Sequence, residues 1–165
     1  MPTGGPARFS VLLAGACLAI LAGCGSERTM PASNEADAPA ELRTGEVTVR
    51  ATTLPTARLN PAMARQYAIA PDADSVLLVI GMRRGPQSQE ASVAGRVSAS
   101  ASDLLGNRQT IELREIRSED FIDYVGTARV SMPDTLRFEI VAKPDGAPAA
   151  RLQFHRDFFP ESTSP

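Results

Sequence analysis

The sequence predicts an all-β domain: an immunoglobulin-like antiparallel β-sandwich of about seven strands, with one short helix near residues 60–67. Three observations lead there. Apolar and polar residues alternate with period two through most of residues 44–160. Valine, threonine, serine, proline and glycine are plentiful and spread along the chain. Turn signals recur without the strand–helix–strand alternation that a parallel sheet needs. A small closed barrel is the alternative arrangement of the same strands.

The elements follow in order from the amino terminus. Residues 9–21, FSVLLAGACLAIL, form an apolar run of thirteen behind Arg8. A bilayer span takes roughly 20 residues, so this run has the length of a signal-peptide core. It ends in Leu21-Ala22-Gly23-Cys24, which resembles the bacterial lipobox. Small residues let the extended backbone enter a signal peptidase, and the thiol is the nucleophile that accepts a diacylglyceryl group. The reading is a lipoprotein signal peptide over 1–23, cleavage between Gly23 and Cys24, and lipidation of Cys24. Cleavage removes Cys17 and Arg8, leaving no free thiol and a formal charge near −3 (−2 less the one arginine). Gly25-Ser26 behind the cysteine holds no aspartate, which points to the periplasmic side of the outer membrane, the inner membrane being the lesser alternative. Residues 24–43 read as the lipidated cysteine and a disordered tether, because GSERTMPASNEADAPAEL lacks apolar periodicity. The sandwich spans 44–160, and 161–165 is a tail.

Within the domain, Val47, Val49 and Ala51 mark a first strand. Asn60 and Pro61 suit the cap and first position of a helix, with Met63 and Tyr67 on one face. Ser75–Met82 is continuously apolar, as a central strand covered on both faces would be. Further strands are expected over 93–101, 111–113, 122–130, 136–142 and 152–158. Between the third and fourth, a two-residue Gly106-Asn107 loop would set apolar against polar faces. An odd loop over Leu105–Asn107, pairing Ala101 with Ile111 and placing Gly106 or Asn107 at positive φ, restores the match.

The run LLGNRQTIELREIRSEDFIDYVGTARVSMPDTLRFEIVAKPDG, residues 104–146, resembles a group of bacterial envelope proteins known as domain of unknown function 4426. LREIRSEDFIDY is its strongest piece, and LNPAMARQYAI, residues 59–69, is similar in its spacing of proline, alanine and tyrosine. The resemblance covers roughly 45–159. It implies a periplasmic β-sandwich and supplies no activity. Upstream, Ala51-Thr-Thr-Leu-Pro-Thr-Ala57 stands where the family commonly carries asparagine and aromatic residues.

Composition narrows the function. A formal charge of −2, 22% charged residues and 5% aromatics supply neither the basic field nor the stacking platforms that nucleic acid requires. Glu112, Glu115, Glu119, Asp120 and Asp123 form an acidic cluster, but Arg114 and Arg117 interleave it and no D-x-D-x-D-G loop is present. His155 is the single histidine, and Met63, Met82 and Met132 are not close to it in sequence, which argues against copper carriage. Gly-x-Ser-x-Gly is missing; Ser98, Ser100 and Ser102 read as a polar strand face, and Asp103 with Asp123 is an unsupported carboxylate pair. Arg83-Arg84 ends the central strand in water. Phe154 and Phe158 read as core, whereas Phe159 has the opposite parity and marks a contact surface. The expected function is therefore a lipid-anchored, non-enzymatic binding or interaction module of the bacterial envelope. It would need no metal or cofactor, and would have the membrane and an envelope protein as partners. The rival is a small periplasmic hydrolase or metal-dependent enzyme using the acidic cluster near 112–123.

Overall fold

In the computed structural model, which describes residues 38–160, the strands are β1 (Ala40–Thr44), β2 (Val47–Pro55), β3 (Ser75–Arg84), β4 (Ala91–Ser92), β5 (Gly95–Ser102), β6 (Arg108–Ile111), β7 (Arg114–Arg117), β8 (Ile122–Arg129), β9 (Asp134–Pro144) and β10 (Ala150–Phe158). Among these described residues, a single α-helix, α1, spans Pro61–Gln66. The strands form two antiparallel sheets. A six-stranded sheet has the order β1-β2-β3-β8-β7, with β4 also on β3, and a four-stranded sheet has the order β10-β9-β5-β6. The all-β sandwich is as the sequence predicts.

Strand β3 is where the two faces can be told apart. Val76, Leu78, Ile80 and Met82 point between the sheets and meet Val49, Phe138, Ile140 and Leu152 in the main core. The opposite face carries Leu77, which packs with Leu59, Tyr67 and Val125 in a second, smaller cluster. That cluster exists because residues 56–72 fold over the six-stranded sheet. Asn60 caps α1 by accepting the Met63 N–H at 2.9 Å, and Pro61 takes the first helical position. Buried Thr56 closes the segment: its hydroxyl donates to Asp72 O at 2.8 Å and accepts from Asp72 N at 3.0 Å. In the main core, Phe138 stacks on Phe154 at 5.1 Å between ring centroids and meets Phe158 edge-on at 6.4 Å.

The structure has ten strands where about seven are expected, for two reasons. First, residues 40–43, assigned to the tether, belong to β1, which pairs with β2 across a tight turn with Gly45 at φ +60°. The domain therefore starts before residue 44. Second, two expected strands each divide between the sheets. The 93–101 stretch begins beside β4 in the six-stranded sheet and continues as β5 in the other. Ile111 ends β6 in the four-stranded sheet, and Arg114 opens β7 in the six-stranded one. Period-two alternation reports which side chains face the interior, and both sheets share one interior. A strand that changes sheet thus reads as unbroken.

The β5–β6 loop is odd, and Gly106 has φ +87°, both as expected. Its position differs by one residue. Asp103 N donates to Asn107 O at 3.1 Å, so Leu104–Gly106 forms the loop, and Ile111 pairs with Ala99 rather than Ala101. Asp103 settles this register because its carboxylate accepts from both the backbone and side-chain N–H of Asn107 at 2.8 Å. Moving the loop by one shifts the pairing by two, which preserves the face.

The crossing from β6 to β7 runs close over β8 at Gly126. A Cβ there would lie 2.6 Å from Glu112 O and 2.7 Å from Ile111 Cγ2. Gly126→Ala is expected to lower stability by about 1–3 kcal/mol through overpacking. Gly106→Ala, where a Cβ meets nothing within 4 Å, should cost only about 1 kcal/mol for its left-handed backbone. Urea midpoints of the two variants check this, and equal losses would refute close packing at the crossing.

Candidate functional site

The acidic cluster disperses when folded. Asp123 lies on the outer face of the six-stranded sheet and accepts from Arg83 Nη2 at 3.0 Å. Glu115 sits on β7 and accepts from Arg117 Nε at 2.5 Å. Glu119 and Asp120 are exposed in the β7–β8 turn, and Glu112 is exposed at the crossing between sheets. Asp123 and Glu115 thus take separate partners, and the pair Asp103 and Asp123 does not form, Asp103 bonding Asn107 instead. His155 faces outward on β10, opposite Arg137, while Met82 is fully buried between the sheets and Met63 packs on the far side of β3. Among the described residues, no group of three or more His, Cys, Asp and Glu side chains is placed to hold a metal ion.

Arg83 corrects the expectation that both strand-ending arginines reach water. Its guanidinium folds back over Gly81, donates to Ile122 O at 3.1 Å as well as to Asp123, and lies 5.5 Å from the Phe121 ring centroid. Burial, then the Asp123 charge, pushes the adjacent Tyr67 phenol above its ordinary value. Arg84 points the other way and donates to Asp145 O at 2.7 Å. Sequence reading misses the Arg83 pair because Asp123 is brought opposite Gly81 only by the β3–β8 register.

What the sheet change creates is a notch. Strand β6 covers β5 only from Ala99 to Ser102 before it crosses over, so Gly95–Ser98 has no strand on that side. A concavity of about 520 Å³ opens there, between Val97 and Ser98 of one sheet, Glu115 and Tyr124 of the other, and Leu113 in the crossing between them. It shares Arg96, Glu115 and Lys143 with a neighbouring cleft of about 730 Å³ that reaches the β9–β10 turn.

Tyr124 stitches the notch shut at one end. Its hydroxyl oxygen accepts the Gly95 N–H at 2.9 Å. The hydroxyl proton faces the Gly95 carbonyl at 2.8 Å and Glu115 Oε2 at 3.0 Å. A phenol thereby replaces the missing strand for one residue of β5. Burial pushes the Tyr124 phenol up, and the Glu115 carboxylate adds to this. The hydrogen bond from Arg117, then the one from Tyr124, holds Glu115 below its ordinary 4.5.

The remaining charge is positive. Arg96 and Lys143 are direct cross-strand partners. Among the described residues neither has an acidic side chain within salt-bridge distance. Like charges directly opposite each other on a sheet are unfavourable, and an anionic group lying between them would relieve the repulsion. Exposed half-edge, apolar floor at Val97 and Leu113, and paired cations together suit an extended chain carrying a carboxylate or similar anion.

Because Glu115 is depressed in the fold, its contribution is present above the unfolded carboxylate value of 4.5 and is lost as pH falls through its lower folded value. Carboxyl-detected NMR titration should therefore place Glu115 below 4.5, and both Arg117→Gln and Tyr124→Phe should move it upward. A Glu115 that titrates unchanged in both variants would exclude the stitched geometry.

The comparisons with known proteins bear on the whole domain. The model of the family described as domain of unknown function (DUF4426) matches residues 41–161. The crystal structure of a DUF4426 family protein from Pseudomonas aeruginosa PAO1 superposes with a TM-score of 0.63 at 22% identity, covering 75% of this chain and 97% of that one. FetP from uropathogenic Escherichia coli strain F11 superposes with a TM-score of 0.51 at 12% identity, again over 75% and 97%. At these identities both show likeness of fold alone. No curated protein matches the sequence. The family match spans the strands of both sheets, from β1 to β10, and the chain belongs to the DUF4426 family.

Proposed function

We propose that this protein is a lipid-anchored, non-enzymatic binding module of the bacterial cell envelope, held at the periplasmic side of the outer membrane, that accepts an extended anionic segment of an envelope partner in the notch beside β5. The notch carries the reading: a strand edge exposed over Gly95–Ser98, with Arg96 and Lys143 facing each other at its mouth. Edge recognition supplies affinity through backbone hydrogen bonds, and the flanking charges supply selectivity. The hydrolase alternative needs Glu112, Glu115, Asp120, Asp123 and His155 in one pocket. Their separate partners and positions favour the binding reading.

The anchor rests on Leu21-Ala-Gly-Cys24 behind its apolar run. Among the described residues no helix is long and apolar enough to cross a membrane, so a bilayer attachment would come from elsewhere in the chain.

Two measurements test the proposal in whole cells. Clickable fatty acid should label the wild type and leave Cys24→Ser unlabelled; an unlabelled wild type excludes the anchor. A photo-crosslinker replacing Ser98 should give one reproducible adduct that falls at least tenfold when Arg96 and Lys143 are both changed to glutamate. An adduct insensitive to that reversal would remove the notch from the account.

A further inference from the structure

Four large apolar side chains stand exposed among the described residues: Leu104, Leu105, Phe121 and Phe159. Phe121 lies under the Arg83 guanidinium, at the end of the sandwich that carries the β1–β2 turn. The other three lie at the opposite end. Leu104 and Leu105, 74% and 89% exposed, form the apex of the β5–β6 loop. Phe159, 68% exposed, follows the last residue of β10. Strand register brings them level. Arg137 pairs with both Ser102 and His155, so the chain runs on about equally from there to Leu105 and to Phe159. Between them, the β8–β9 turn presents Met132 and exposed Pro133 beside the cleft that Leu104 and Leu105 also line.

Two adjacent leucines at the apex of a tight turn are costly in water, where turn positions ordinarily hold polar residues. Charge at this end is mixed. Arg129 pairs with Asp72 at 2.9 Å, and Asp74, Asp103 and Asp134 line the same cleft. A partner would therefore be held there by apolar contact, with little electrostatic help.

The chain itself indicates what lies opposite. Ala38 lies in this half of the sandwich, its carbonyl accepting from Arg156 Nη2, and β1, which starts level with the middle of β3, runs away from the tips towards the turn at Gly45. Thirteen residues, 25–37, separate it from Cys24. Fully extended they reach about 45 Å, little more than the roughly 35 Å length of β9. Strand β1 is thus entered from the side of the apolar tips, and a tether of that reach can hold a bilayer against them. We propose that Leu104, Leu105 and Phe159 form a membrane-contact surface, seated at the headgroup–acyl boundary of the bilayer that holds Cys24. The nearness of that bilayer rests on the anchoring proposed above; the apolar surface does not.

The full-length acylated protein tests this. With Cys24 acylated and Cys17 removed, Leu105→Cys offers a single thiol for an environment-sensitive fluorophore, and Ser118→Cys places the same probe at the far end. In vesicles of phosphatidylethanolamine and phosphatidylglycerol, the probe at 105 should shift to the blue. It should also be quenched several-fold more by spin-labelled lipid than the probe at 118, with little change in high salt. Equal quenching at both sites overturns the proposal. So does a probe at 105 that is shielded in native envelopes but open in pure lipid, which would mean that a protein covers these tips. If Cys24 proves unacylated, Cys24→Ser added to the same vesicles still decides the matter. Changing Leu104, Leu105 and Phe159 to serine should weaken its binding roughly tenfold or more. Equal binding would sink the membrane surface whatever the fate of the anchor.

Discussion

Strand β3 must be kept dry on both faces, and most of the architecture follows from that requirement. Its inward side chains are met by the four-stranded sheet, and its outward ones by Leu59 and Tyr67 from the segment that carries α1. Burying a leucine-sized side chain contributes about 1.5–3 kcal/mol, so leaving the outer faces of β3 and β8 in water would forgo the gain from Leu77 and Val125 together. The short helix is thus a cover for the sheet, held by the Asn60 cap and the Thr56 bonds to Asp72. Six residues of helix would not persist alone. Packing against β3 supplies the stability.

The same interior constrains the connections. When β6 leaves the four-stranded sheet at Ile111, Ile111 and Leu113 both face the shared core while the backbone pairing changes, and Ile116 of β7 then packs in the outer cluster. Gly126 makes room for the crossing, and Tyr124 repairs the Gly95 backbone that the departing strand leaves unpaired. Repair stops there. Arg96, Val97 and Ser98 keep an open side, so the notch is a direct product of dividing one strand between two sheets. Two cations at its mouth add repulsion that the fold has no evident need of.

How much of this was legible in the sequence depended on whether the signal was local. The unbroken apolar run of β3, the Asn60-Pro61 start of α1 and the odd length of the β5–β6 loop are local patterns, and each is found in the structure, the loop displaced by one residue. Strand β1 was hidden because Leu42 is its single large apolar residue and the neighbouring composition is that of a linker. The sheet changes were hidden because alternation carries no information about which sheet a residue joins. The site was harder still. Glu115 and Asp123 stood out as acids, yet their meaning lies in Arg117, Tyr124 and Arg83, partners set by register. Arg96 and Lys143, separated by 47 positions (143 minus 96), carried no signal at all until β5 and β9 were paired.

The two ends of the sandwich differ in a way that folding alone does not require. At one end, Phe121 lies beneath Arg83, and the turn reaches across to β4 through the Ser92 hydroxyl, which donates to Asp120 O at 3.0 Å. At the other, the loop between Asp103 and Asn107 is rigidly closed by its own side chains, yet holds Leu104 and Leu105 away from every buried cluster. With the loop closed in this way the leucines stay in water, and contact with a second apolar phase would remove them from it. Strand β1 starts in this half of the sandwich and runs away from it, so the surface least suited to water lies on the side from which the chain enters the domain.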